Sequence, residues 1–248
     1  MMVPLATVLL AVPDQRSLAP LLESLFEQNV KDIEILVISP VHREDARWLP
    51  GDLPIKNLLV SANSAPGMVM NLGAHSARGH YLVTLASEAR LRDNRWLFRL
   101  LSPFLDAKVA VVSGKDYNPD LLSGPCSSYY LELADYLLTP EYGPSQDNGA
   151  FRLDLVIKWP FDETLPRCVD KEWTFRILQA GYRVVMDYEA RVELLENIGA
   201  ESQLRALWEN HQAIASFLRN KDTAALLWKL ALAKRNFGEV LRALMLWY

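Results

Sequence analysis

Several things are scarce in this 248-residue chain, and each scarcity excludes something. There are two cysteines, Cys126 and Cys168, far apart and in no CxxC or CxxH pattern. That spacing excludes a structural zinc site and fits a reducing compartment, so a cytoplasmic location is expected. Cationic excess is missing too: 26 Lys and Arg stand against 30 Asp and Glu, for a formal net charge of −4. With no basic stripe, no nucleic-acid partner is expected. No hydrophobic run reaches membrane-spanning length. The opening MMVPLATVLLAVPDQRS is too short to span a bilayer and has no basic residues ahead of it, so it reads as a first strand rather than a leader or anchor. No GxGxxG follows a strand, which counts against a dinucleotide-binding Rossmann enzyme. The four histidines, His42, His75, His80 and His211, show no ligand spacing. Internal repeats and low-complexity tracts are absent.

What is present is a globular composition, 50% hydrophobic and 23% charged. The length suits one large α/β domain with an appendage. Residues 6–12 form a continuous aliphatic run of the kind found in a central parallel strand covered on both faces. Ser17 is a candidate cap for a helix over 17–28, in which Leu18, Leu21, Leu22, Leu25 and Phe26 share a face. Residues 33–38 read as a second strand, 55–61 as a third, and 66–79 as a helix opened by Pro66.

The segment YLVTLASEARLRDNRWL, residues 81–97, is the point around which the rest is arranged. An apolar strand run ends in the polar pair Ser87 and Glu88, and a helix follows from Trp96 with Asp93 or Asn94 as its cap. Ligands of open α/β sheets bind at the carboxyl ends of strands. Taken alone, Glu88 also reads as a solvated loop carboxylate.

A strand over 109–114 completes a β/α alternation that implies a doubly wound core. A helical patch is expected over 129–138 inside a Pro-punctuated stretch, then a short strand in NGAFRLDL, a helix in VDKEWTFRILQAGYRVVMD, and a strand after Gly181. The character changes near 198–200. Residues 1–198 are expected to form the main domain and 199–248 a helical extension, whose apolar stripe carries Lys229, Lys234, Arg235 and Arg242. That stripe suits contact with an anionic membrane surface, cover for the sheet, or a dimer interface.

The order of these segments resembles the family 2 glycosyltransferases, over roughly residues 5–192. TVLLAVPDQRSLAPLLESLFEQNVKDIEILVIS is similar to the family's first strand, P-x-[YF]-N turn, helix and second strand. MNLGAHSARGHYLVTL is similar to RNxGxxxAxGxYxxFLD, the helix from Trp96 has its counterpart, and FDETLPRCVDKEWTFRILQAGYRVV is similar to FDE…EDxDLxxRxxxAGYRI. The resemblance implies a GT-A fold: a mostly parallel, doubly wound, Rossmann-like sheet with helices on both faces. It also implies inverting transfer of a sugar from a nucleotide-diphosphate donor, UDP-linked by expectation, to an acceptor, with Mn²⁺ or Mg²⁺ as cofactor.

The family's D-x-D metal motif falls on Ala86, Ser87 and Glu88, leaving Glu88 as the metal carboxylate. One carboxylate with phosphate oxygens and water can hold a hard cation, though the chain also allows a site without metal. The family's base falls on Asp170, behind Val169 in place of a Glu. As a residue at a helix start, Asp170 reads equally as a cap. Nucleotide contacts fall on Ala11, Val12, Pro13, Asp14, Ser39, Asn71 and Ser87, with Ser39 where relatives carry an Asp. Asp14 also reads as a solvated turn residue, and Asn71, Gly73 and Gly79 as a polar helix start, a close packing point and a helix end. Arg152 and Trp159 are the implied sugar or acceptor residues. Arg152 could instead pair with Asp154 or Asp162, and Trp159, Tyr129 and Tyr130 could be core. A third metal ligand, His in many relatives, falls near Leu194, with Glu193 or Glu196 as substitutes. Substitutions at Ala86, Ser39 and Val169 keep a second class open, a GT-A scaffold that binds without catalysing.

Overall fold

The computed structural model describes residues 3–12, 18–40, 55–116, 128–194 and 200–219. Pro13, Asp14, Ser17, Cys126 and the basic stripe beyond residue 219 lie outside these residues.

The aliphatic run forms β1 (Ala6–Ala11), whose first five residues are buried. The helix α1 (Ala19–Phe26) follows, with Pro in its first turn and Leu21, Leu22 and Leu25 inward. Next come β2 (Ile33–Ser39), buried throughout, and β3 (Ile55–Leu59). The helix α2 (Pro66–Ser76) leads into β4 (Tyr81–Ala86). A three-residue strand that the sequence did not disclose, β5 (Ala89–Leu91), precedes α3 (Trp96–Leu101) and a 3₁₀ turn at Ser102–Leu105. Asp93 accepts the Arg95 N–H at 2.7 Å, so it caps the turn before α3 rather than the helix itself.

The strand β6 (Val109–Asp116) is followed by β7 (Tyr129–Leu131) and α4 (Leu133–Leu138). The helical patch expected over 129–138 therefore begins as a strand. Tyr129, Tyr130 and Leu131 pair with Met186, Val185 and Val184, and this tertiary pairing overrides local helical spacing. Both tyrosines are exposed rather than core. Among the described residues there follow β8 (Asn148–Arg152), α5 (Leu153–Lys158), α6 (Val169–Gln179), β9 (Arg183–Leu194) and α7 (Ala200–Leu218).

Among the described residues nine strands form one sheet in the order β3-β2-β1-β4-β8-β6-β9-β5, with β7 on β9. β1, β2, β3, β4, β6 and β9 run in one direction; β5, β7 and β8 oppose them. Because side chains alternate across a strand, the sheet has two separate cores. Val8 and Leu10 of β1 pack with α1 and α3 on one face, whereas Leu9 packs with α2, α5 and α6 on the other. Ile214 and Leu218 of α7 join the second core, and Phe217 stacks near Phe175 at 6.2 Å. Among the described residues no helix is long and apolar enough to cross a membrane.

The start of β4 depends on a close backbone approach. A Cβ at Gly79 would lie 2.6 Å from Ala6 C and Thr7 N, so only glycine fits. At the same end Glu34 is buried and accepts hydrogen bonds from Thr7 Oγ1 at 2.7 Å, Arg78 N at 2.6 Å and Arg78 Nε at 2.7 Å. Burial pushes its carboxyl up, but the bonds from Thr7 and Arg78 outweigh burial and hold it below the usual glutamate range.

Candidate functional site

Parallel strands β1, β2 and β4 bring their carboxyl ends to one place, and a cleft of about 390 Å³ opens there. Ala11 ends β1 and Val12 follows it, Ile38 and Pro40 flank the end of β2, and Ala86 ends β4 with Ser87 and Glu88 after it; all line the cleft. The segment after β3 closes one side with Ser61 and Ser64. The first turn of α2 faces the cleft through Pro66 and Val69. The remaining wall is Gln146 and Asp147.

That last wall was not anticipated, and it ties the site together. Ala86 N donates to Asp147 O at 2.9 Å, fixing the end of β4 to the residue just before β8. Gln146 N donates to Asp170 Oδ2 at 2.9 Å, while Asp170 Oδ1 accepts Lys171 N at 2.9 Å in the first turn of α6. Lys171 Nζ reaches back to Gly143 O at 2.6 Å and Pro144 O at 2.5 Å. The loop 143–147 is thus pinned to the start of α6, with Ser145 N also donating to Ser113 Oγ at 3.1 Å. Asp170 is only 6% exposed, directly behind Gln146. Next to it, Cys168 has left-handed backbone (φ 58°); burial and then Asp170 push its thiol up to about 11, so it stays protonated at neutral pH.

Of the residues expected at the site, Ala11, Val12, Ser87 and Glu88 line the cleft together. Ser39 is buried at the end of β2 between the lining residues Ile38 and Pro40. Asn71 is in the middle of α2, not at a helix start, and its amide is engaged elsewhere. Its Nδ2 donates to Phe161 O at 3.0 Å and Glu163 Oε1 at 2.8 Å, and its Oδ1 accepts Phe161 N at 2.9 Å. It clamps the FDE loop onto α2. Arg152 and Trp159 are not brought to the cleft. β8 is antiparallel to β4, pairing Arg152 with Tyr81 and Asn148 with Leu85, so Arg152 sits at the far end of the strand, about 13 Å away. There it pairs with Asp154 at 2.6 Å. Trp159 packs edge-on against Tyr182 at 5.8 Å, with Lys158 Nζ 4.2 Å from its ring centroid.

The metal question turns on donor chemistry. Glu88 and Asp147 offer carboxylate oxygens to the cleft, which suits a hard divalent cation. Leu194, near which the resemblance implies a third ligand, pairs with Ala89 beside Glu88 and offers no donor atom in its side chain. Glu193 pairs with Arg92 at 2.8 Å, and Glu196 lies outside the described residues. Among the described residues no group of three His, Cys, Asp or Glu could hold a metal ion by itself.

No protein-family model and no curated protein matches the sequence. Solved structures do match. Mannosyltransferase PcManGT from Pyrobaculum calidifontis, in complex with GDP-Man and Mn²⁺, is 17% identical; the match covers 98% of this chain and 74% of that one, with a TM-score of 0.73. S. aureus TarS 1-349 in complex with UDP-GlcNAc is 16% identical over 94% of this chain and 72% of that one, with a TM-score of 0.65. The same TarS fragment with UDP gives a TM-score of 0.62. With its two-faced, mostly parallel sheet, this chain has the GT-A glycosyltransferase fold.

Proposed function

We propose that the chain is a glycosyltransferase of the family 2 kind, transferring a sugar with inversion from a nucleotide-diphosphate donor to an acceptor hydroxyl. The observation that carries this reading is the cleft at the ends of β1, β2 and β4, with Glu88 on its floor and Asp170 hydrogen-bonded to its wall. The neighbours bound to GDP-Man or UDP-GlcNAc support the donor class. We take UDP as the first nucleotide to test and GDP as the second.

In this reading the nucleoside rests against Ala11, Val12 and Pro40, with Ser39 buried behind them, and the diphosphate runs toward Ser87 and Glu88. The acceptor oxygen attacks the anomeric carbon from the side opposite the diphosphate and gives its proton to Asp170. The sugar–phosphate bond breaks, and its electron pair leaves on the nucleoside diphosphate. Each Asp170 oxygen uses one lone pair on a backbone N–H, leaving another to receive the hydroxyl. Mn²⁺ or Mg²⁺, held by Glu88, would neutralise charge building on the leaving diphosphate. In the same reading residues 1–198 are the donor-binding domain, and 199–248 an extension that contacts a membrane surface or a second copy.

Titration calorimetry with UDP and GDP, each with and without Mn²⁺, tests the binding half. Release of the nucleotide from UDP- and GDP-sugars tests turnover. No binding by either nucleotide would overturn the assignment. One set of observations favours a second reading, a nucleotide-binding or scaffold protein without catalysis. Ala86, Val169 and Leu194 stand where carboxylates or a ligand are expected, and Asp170 is nearly inaccessible. Binding without turnover would select that reading.

A further inference from the structure

One polar group in the cleft wall is given nothing to do by the fold. Ser64 Oγ is buried and, among the described residues, has no hydrogen-bond partner. We propose that this hydroxyl reads the edge of the donor's nucleobase. The inference rests on the glycosyltransferase reading and deepens it.

Three observations support it. The first removes the ordinary role of such a serine. Ser64 stands just ahead of α2, where a hydroxyl commonly caps the helix, but the residue at the cap position is Ala65 and no side chain caps α2. The turn around it closes through other groups: Ser64 N donates to Ser61 O at 3.0 Å, and Asn63 N to Ser61 Oγ at 3.4 Å. A buried hydroxyl left unpaired costs stability, so each one that a fold retains calls for a use.

The second is the surroundings. Along the chain Ser64 lies between Val60 and Val69, and Val60 N donates to Ser39 O, beside Pro40, at 3.1 Å, so the hydroxyl enters the cleft on its aliphatic β3 side. Glu88 enters after β4, three strands away. A nucleobase has two apolar faces and a polar rim, which suits a slot with aliphatic walls and few polar groups. The diphosphate is then left to the Ser87 and Glu88 end, as the proposed binding mode requires. A serine hydroxyl both donates and accepts, so it can pair with a carbonyl or a ring N–H, and uracil and guanine carry both.

The third is preorganisation. The bond from Val60 ties the segment after β3 to the end of β2. On its other side α2 is seated against the loop after α5: a Cβ at Gly67 would collide with Asp162 O, and one turn on Asn71 holds both Phe161 N and Phe161 O. Ser64 is therefore fixed before any ligand arrives, which keeps the ordering cost of binding low.

The test uses the full chain with Mn²⁺ present and reads binding and stability together. Affinities of UDP and GDP are measured by titration calorimetry, and those of UMP and GMP by ligand-observed NMR competition against whichever diphosphate binds more tightly. Ser64→Ala should weaken that diphosphate at least threefold. It should weaken the corresponding monophosphate by the same factor, because the base is common to both. The ligand-free urea midpoint of the variant should equal or exceed that of wild type, since the substitution removes a buried hydroxyl without a partner in the fold. A change below threefold would mean that water satisfies the hydroxyl, a loss confined to the diphosphate would put it on phosphate, and a loss that comes with a lowered midpoint would make it a structural residue. Any of the three overturns the proposal and leaves the glycosyltransferase reading intact. Failure of wild type to bind either UDP or GDP would overturn both.

Discussion

The two ends of β4 are built from similar residues for opposite purposes. At its amino end, charged groups close on one another. Glu34 is satisfied by Thr7 and Arg78, Arg152 by Asp154, and Arg152 Nη1 also donates to Ala107 O at 2.6 Å. At the carboxyl end, Glu88 and Asp147 face a cleft whose described lining holds no cation. Burying charge is costly unless partners repay it within the fold, and the amino end has those partners. The carboxyl end opens instead into an acidic cleft at the strand ends, where open sheets take their ligands, and its carboxylates Glu88 and Asp147 are bonded by Ser87 and Ser145.

The contrast predicts where substitutions act. The largest effect belongs to the carboxyl end and to rate. Asp170→Asn keeps the side-chain shape, and its amide oxygen can still accept the Gln146 N–H while the bond from Lys171 N is given up, so the wall should survive. Removing the proton acceptor should lower sugar transfer about 100- to 10,000-fold, with nucleotide affinity within about threefold of wild type. Transfer at the wild-type rate would show that Asp170 holds the wall and nothing more.

At the amino end the same kind of change should cost stability instead. Gly79→Ala forces a methyl group into the Ala6–Thr7 backbone, and overpacking against main chain that cannot move costs about 3 kcal/mol. Urea unfolding should show it directly. An unchanged midpoint would mean that β1 and β4 can separate without loss.

Glu34→Gln is the next step down, about 2 kcal/mol at neutral pH, because charge-assisted bonds from Arg78 are replaced by neutral ones. Here the sign with pH follows from the lowered carboxyl. A group whose pKa falls on folding stabilises the fold above its unfolded value, near 4.3, and that contribution is lost as pH drops through the folded value. Wild type and Glu34→Gln should therefore differ most at pH 6–7 and converge as the pH falls through the lowered pKa of the folded carboxyl. A gap that widens on acidification would contradict the role given to Arg78.

Much of this organisation was legible in the chain, and the reasons are local. β1 and β2 announce themselves by unbroken aliphatic runs, and α6 by its spacing together with the turn at Gly181. The cleft edge at Ser87 and Glu88 could be read because a strand ended there. What could not be read depended on pairing. The direction of β8 is set by its neighbours β4 and β6, not by NGAFR itself, so Asp147 could not be placed in the cleft nor Arg152 away from it. β5 is three residues long and exists only because β9 extends to Leu194 beside it. Asn71 reads in the chain as a polar helix start or, by resemblance, a nucleotide contact, whereas its amide is taken up by Phe161, distant in sequence. In each case the missing information was a long-range partner.

Arg152 gives the smallest effect and the sharpest check on the comparison. Its guanidinium is held by Asp154 at 2.6 Å, and that hydrogen bond and its charge raise the already high pKa of the arginine further. Asp154 is 61% exposed in its side chain, so water screens the pair. Arg152→Ala should cost no more than about 1 kcal/mol of stability. It should leave nucleotide binding and transfer unchanged, because the strand carries it away from the cleft. Calorimetric titration of UDP or GDP into this variant reads the point directly. A tenfold loss of affinity would mean that the amino end of β4 also meets the donor, and the division between a self-satisfied end and a ligand-facing end would fail.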